Sequence, residues 1–174
     1  VSKAFIARCC EFHSPETRKI FDLYNLPTSR GTYALLLHLP REKKLRVGRF
    51  GTFRFPQGAY VYVGSAFGPG GLRARLARHL RQNKVAHWHI DSLRAHADVR
   101  AITFTTAPYG LECVWSQRLS SWRGTRIPVA KFGARDCVEN CPAHLIAFPR
   151  GISARTLRKL LEHTDAPVRL CALD

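Results

Sequence analysis

The chain has 174 residues, of which 45% are apolar, 10% aromatic and 23% charged. That composition fits one globular domain with a terminal extension and excludes wholesale disorder. Its outlier is charge: 28 Lys plus Arg against 12 Asp plus Glu leave +16 at neutral pH, a field that attracts nucleic acid first and anionic membrane second.

No apolar run reaches the roughly 18 residues of a spanning helix, and the first 25 residues lack a signal peptide's apolar centre. A soluble, cytoplasmic protein without membrane association is expected. Six cysteines (Cys9, Cys10, Cys113, Cys137, Cys141, Cys171) are too sparse for a disulfide scaffold and point to free thiols or a metal site.

In chain order, residues 1–29 mix charged and apolar positions without a clean period and read as an N-terminal extension. Tyr33 to Leu39 is a continuous apolar run closed by Pro40, the pattern of a strand buried on both faces. Leu45 to Phe50 alternates, and Ala59 to Gly64 is dense in β-branched and aromatic residues, so the three segments predict an antiparallel meander. After Gly68-Pro69-Gly70-Gly71, Leu72, Leu76 and Leu80 recur at helical spacing among arginines. Residues 87–97 read as helix, Val99 to Thr106 as strand, and Leu111 to Trp122 as a second helical stripe. His144 to Phe148 is a candidate last strand, and Ser153 caps a basic helix running to Glu162. The fold class is α+β, a small, mainly antiparallel sheet of about three core strands flanked by helices. Residues 30–149 form the domain, with residues 150–174 a basic helix and tail packed on it.

Gly31-Thr32-Tyr33 on the first strand and Tyr62-Val63-Gly64 on a later one, followed by a helix carrying Arg75 and His79 and by Glu112 opening a later helix, resemble the GIY-YIG nuclease superfamily. Tyr60 to Ala66, His87-Trp88-His89-Ile90-Asp91 and Phe132-Gly133 through Asp136-Cys137 to His144-Leu145 are similar to a branch of it in which some members are fused to DNA-repair glycosylases. The resemblance covers roughly residues 30–149. It implies a divalent-metal-dependent endonuclease, acting in DNA repair or processing, that hydrolyses phosphodiester bonds to a 5′-phosphate and a 3′-hydroxyl. In it Tyr33 and Tyr62 handle the water, Arg75 stabilises charge on phosphorus, His79 relays a proton or contacts phosphate, and Glu112 binds Mg²⁺ or Mn²⁺.

The chemistry asks for these residue types. Hydrolysis of a phosphodiester needs an activated water and cationic charge at the phosphoryl oxygens. Arg75 and His79 lie four apart and share a helix face, and a nearby guanidinium or metal can lower a phenol's pKa toward use as a base. Which phenol takes the proton stays open. Without the resemblance, Glu112 reads as an acid placed by the helix dipole, Arg75 as a solvated helix arginine, and the tyrosines as sheet aromatics.

Ser65 stands where several superfamily members place a lysine. The glycine-rich loop before the helix could line a phosphate with its amides or merely connect. Nucleic-acid contacts are expected from Ser65, Arg73, Arg78, Arg81, His87 and His89, and from the arginines of residues 150–158. His87-x-His89-x-Asp91 lacks a following histidine, having Ser92 instead, which argues against a dinuclear metal site. Cys137, Cys141 and His144, with Cys113 as a fourth ligand, have spacing suited to a structural Zn²⁺, while Asp136 and Asn140 could close the active site. The alternative reading is a non-catalytic nucleic-acid-binding module, possibly zinc-stabilised.

Overall fold

The computed structural model describes residues 26–81, 85, 87–162 and 165–173. Cys9, Cys10 and most of the expected N-terminal extension lie outside the described residues. The elements are β1 (Thr32–Leu39), β2 (Lys43–Val47), a short 3₁₀ turn (Gly48–Phe50), β3 (Gly51–Phe55), β4 (Gly58–Ser65), α1 (Gly71–Leu80), α2 (His89–Arg94), β5 (Asp98–Thr105), α3 (Glu112–Ser120), β6 (Leu145–Phe148), α4 (Ala154–Leu161) and β7 (Arg169–Ala172). Among the described residues no helix is long and apolar enough to cross a membrane.

The α+β class is as expected, but the sheet is larger. Five strands run in the order β6-β4-β1-β5-β7, and every neighbouring pair is antiparallel. The three-strand meander is corrected: β1 pairs directly with β4, and β2 and β3 form a separate two-stranded ribbon. The reason is in the burial. β1 and β4 carry apolar residues on both faces and need a layer on each side, whereas β2 alternates, burying Leu45 and Val47 and exposing Lys44 and Arg46. A strand with one apolar face needs only one covering layer. β7, unforeseen in the sequence, lines the edge of β5.

Side chains alternate across β1, and the sheet therefore separates two cores. Tyr33, Leu35, Leu37 and Leu39 pack with Leu72 and Leu76 of α1, Ile90 and Leu93 of α2, and Leu45, Val47 and Phe55 of the ribbon. Ala34 and Leu36 pack on the other face with Trp115 and Leu119 of α3 and Leu157 and Leu161 of α4. α4 starts as expected, with Ser153 Oγ accepting from the Thr156 amide at 3.0 Å.

The first turn of α1 departs from the phosphate-loop possibility. The amides of Leu72 and Arg73 donate to the carbonyls of Ser29 and Pro27, both at 3.0 Å, and the Gly71 amide donates to Gly68. The connector reading holds there, because those donors are already used. Residues 26–29 thus belong to the domain, with Leu26 buried in the first core.

Candidate functional site

The two glycines of the tripeptide motifs make room rather than turns. Gly64 lies directly opposite Tyr33 in the β1–β4 register. A Cβ at Gly64 would sit 2.5 Å from Tyr33 Oη and 2.6 Å from its Cζ, so the phenol occupies the space that a side chain would fill. A Cβ at Gly31 would collide with the Thr105 carbonyl and approach Leu72 Cδ1 to 2.9 Å. Both residues let a neighbour come close, the second common use of glycine besides positive φ.

Into that space Tyr33 Oη reaches His79 Nε2 at 2.6 Å. His79 projects from α1 and is fully buried, beside the rings of Tyr62 (5.9 Å) and Trp88 (5.2 Å). His79 lies behind Tyr33 rather than on the cavity lining, which favours the proton-relay role over a direct phosphate contact.

Tyr33, Tyr62, Arg75 and Glu112 line one cavity of about 320 Å³, together with Ser65, Gly64, His87, Trp88, His89, Arg135, Asp136 and His144. The body of α3 packs on the opposite face of the sheet from α1. Its first turn, however, is anchored at the strand ends, where the Leu111 amide donates to Thr32 Oγ1 at 3.0 Å, and this brings Glu112 into the cavity. Arg75 is held over the Trp88 ring, 4.6 Å from its centroid. Trp88 is part-buried, packed against the first core on one side and lining the cavity on the other, with Arg78 also over its ring at 4.4 Å.

The electrostatics correct one expectation. Arg75 does pull both phenols toward ionisation, but burial outweighs it. Burial pushes Tyr33 well above the ordinary tyrosine range, Tyr62 and Glu112 add to the rise, and Arg75 only opposes it. Tyr62 is raised for the same first reason, with Arg75 again opposing. Both phenols therefore hold their protons at neutral pH, and Tyr33 has a partner for its proton in His79 Nε2.

The remaining expected contacts divide. Ser65, His87 and His89 line the cavity. Arg73 Nε donates to the Leu26 carbonyl at 2.9 Å, and Arg78 bridges Asp91 at 3.0 Å, so these two arginines serve the fold. Arg81 is exposed at the C-cap of α1. Asp91 Oδ2 also accepts from the His87 and Trp88 amides at 2.9 and 3.0 Å, a helix-capping role that agrees with the reading against a dinuclear site. Asp136 faces the cavity, while Asn140 is held by Lys131 Nζ. The arginines of residues 150–158 follow β6 or sit on α4, which packs on the far face of the sheet. Arg135, a cavity residue that the sequence reasoning missed, sits in an irregular loop where no periodic signal marks it.

Cys113, Cys137, Cys141 and His144 bring their ligand atoms within 4.8 Å of one another and could hold a metal ion. Cys113 and Cys137 have Sγ atoms 3.3 Å apart. His144 is 6% exposed, and its Nε2 is buried with no hydrogen-bond partner. A buried ring nitrogen without a hydrogen-bond partner, next to three sulfurs, is what a metal-binding histidine would show before its ion is bound. Burial lowers the pKa of His144 against the pull of Glu112. Burial raises Cys113, whereas at Cys137 burial is outweighed by hydrogen bonds from the Cys141 backbone and the Cys113 side chain, and the thiol is drawn down. A set of three sulfurs and one imidazole suits a borderline-soft, tetrahedral ion. Among the described residues, Glu112 and Asp136 are the two carboxylates that line the cavity.

A family model described as Domain of unknown function DUF123 matches residues 32–165. The chain belongs to that family. The match spans β1 through α4, so the cavity and the Cys₃His group both lie inside the family domain. Comparison with curated proteins found no match, and neither did comparison with solved structures.

Proposed function

We propose that the chain is a divalent-metal-dependent endonuclease of the GIY-YIG type that hydrolyses phosphodiester bonds in DNA, in repair or processing. One observation carries the reading: side chains from four elements, Tyr33 of β1, Tyr62 of β4, Arg75 of α1 and Glu112 of α3, converge on one cavity. Arg75 binds a non-bridging phosphate oxygen and stabilises the charge that grows there. Glu112 would hold the Mg²⁺ or Mn²⁺, which when bound neutralises the phosphoryl oxygens and acidifies water.

Raised phenol pKa values would favour a mere binding module if Tyr33 had to ionise first. The 2.6 Å contact to His79 supports a relay instead. Tyr33 Oη accepts the water's proton as its own proton moves to His79 Nε2, so no free phenolate forms. The water oxygen bonds to phosphorus and the P–O3′ bond breaks. The departing 3′-oxygen takes a proton from a cavity water, and the hydroxide so formed is neutralised as His79 returns its proton through Tyr33 to the cavity. The products carry a 5′-phosphate and a 3′-hydroxyl. Tyr62, beside His79, orients the water.

The Cys₃His group holds Zn²⁺ in a structural role. Its ligands are the sequence neighbours of cavity residues: Cys113 follows Glu112, Cys137 follows Asp136, and His144 lines the cavity itself. The ion thereby braces the acidic wall.

Single-stranded, duplex and branched DNA incubated with Mg²⁺ or Mn²⁺ tests the assignment. Cutting is expected on at least one substrate, and Glu112→Ala should slow it by at least about a hundredfold, the scale of one strong electrostatic group. Unchanged cutting by that variant, or DNA binding without cutting by the parent chain, would refute the nuclease.

A further inference from the structure

We propose that the outer face of the β2–β3 ribbon is a binding track for the DNA backbone that leads into the cavity. The inference rests on the nucleic-acid reading above but not on cleavage. Residues 41–54 contain six cations, Arg41, Lys43, Lys44, Arg46, Arg49 and Arg54, against one acid, Glu42. The ribbon buries Leu45, Val47 and Phe55 in the first core and exposes Lys44, Arg46, Thr52 and Arg54 on its other face.

The register sharpens this. Lys44 lies directly opposite Arg54, and Arg46 opposite Thr52. Like charges facing each other across a strand pair are destabilising by a few tenths of a kcal/mol or more. Glu42 offsets one of these charges through Arg54 at 2.9 Å, leaving the strip strongly cationic. A polyanion lying along it removes the repulsion.

The strip is also continuous with the site. At the ribbon's tip Phe50 meets the His89 ring edge-on at 4.7 Å, and the Arg135 guanidinium lies 5.5 Å from the Phe50 centroid. His89 and Arg135 both line the cavity, so a strand whose phosphate sits beside Arg75 passes Arg135 and runs out onto the ribbon. Same-face side chains recur about every 7 Å along a strand, so successive cations of the ribbon can meet successive phosphates of one backbone. The face carries short polar and basic side chains and no exposed aromatic, which suits backbone tracking without base readout.

The test uses the full chain with Lys44→Ala, Arg46→Ala and Arg54→Ala combined, which leaves the buried face intact. A matched control combines Arg123→Ala, Arg126→Ala and Lys159→Ala, removing equal charge at exposed positions outside the ribbon. Affinity for a short DNA duplex is read by anisotropy across a salt series without Mg²⁺. Each lost phosphate contact removes about 0.9 from the slope of log K against log salt, so the ribbon variant should lower the slope by about 2 to 3 while the control leaves it within about 1. Equal loss in both variants would assign the effect to net charge, and no loss in the ribbon variant would dismiss the track. Unchanged DNA binding with weakened binding to anionic phosphatidylserine vesicles would assign the face to membrane and overturn the proposal. Should the alanine triple fail to fold, the three glutamine substitutions replace it. A slope change in a protein that never cuts DNA would keep the track and refute only the nuclease.

Discussion

Replacing Gly64 by alanine adds one methyl group at the centre of the proposed proton relay. Its Cβ would stand 2.5 Å from Tyr33 Oη, and ordinary contact needs about 3.5 Å, so the phenol must retreat by about 1 Å. A displacement of that size takes Oη out of position for its 2.6 Å hydrogen bond to His79. Forcing a side chain aside in a close-packed interior costs about 1–3 kcal/mol, and losing a buried hydrogen bond adds about 1 kcal/mol. The total, about 2–4 kcal/mol, lowers the melting temperature of a domain this size by roughly 4–16 °C. A broken relay should further lower the DNA cleavage rate by about a hundredfold or more. Calorimetry and a single-turnover cleavage assay on Gly64→Ala measure the two effects, with Tyr33→Phe as the comparison that removes the same bond without added bulk. A Gly64→Ala protein with parental stability and rate would refute both the close approach and the relay.

The other predictions concern the metal group and pH. Purified protein should carry about one zinc per chain, as its four ligands require. If about 10–16 kcal/mol of zinc binding is shared among them, Cys141→Ser gives up about 3 kcal/mol, or about a hundredfold in affinity by chelator competition; no bound metal, or no loss, refutes the site. Stripping zinc should also slow cleavage after Mg²⁺ is restored, because Cys113 adjoins Glu112. In the alkaline range, Tyr33, Tyr60 and Tyr62 all have folded-state pKa values raised above the unfolded tyrosine, Tyr60 to about 12. The folded state then binds more protons than the unfolded one above pH about 10. Stability supplied by the neutral phenols is full below that pH and falls as pH rises through it, which urea unfolding across pH 9–12 should record. Tyr33→Phe should flatten the decline, and an unchanged profile would contradict the burial argument.

Local chemistry was legible in the sequence wherever it depends on near neighbours. The continuous apolar run of β1, the leucine spacing of α1 and the Ser153 cap each declared their element, because strand and helix periods are written in consecutive residues. The residues of the candidate site were nameable only through the resemblance to a known superfamily, since by themselves Arg75 and Glu112 read as ordinary helix residues and the tyrosines as sheet aromatics. The charge of +16 pointed to a polyanion before any fold was known.

What folding decided were the relations between distant segments. Nothing local says that β1 skips the ribbon to pair with β4, that Tyr33 fills the space over Gly64, or that Arg73 and Arg78 are consumed by Leu26 and Asp91. Burial, a property of the whole assembly, raises the phenols against the pull of Arg75, and of the two roles expected for His79 it favours the proton partner of Tyr33 over the phosphate contact. Sequence fixes which groups exist and their local periods. The dielectric around each group, and the residue opposite it, depend on surfaces brought together from far along the chain.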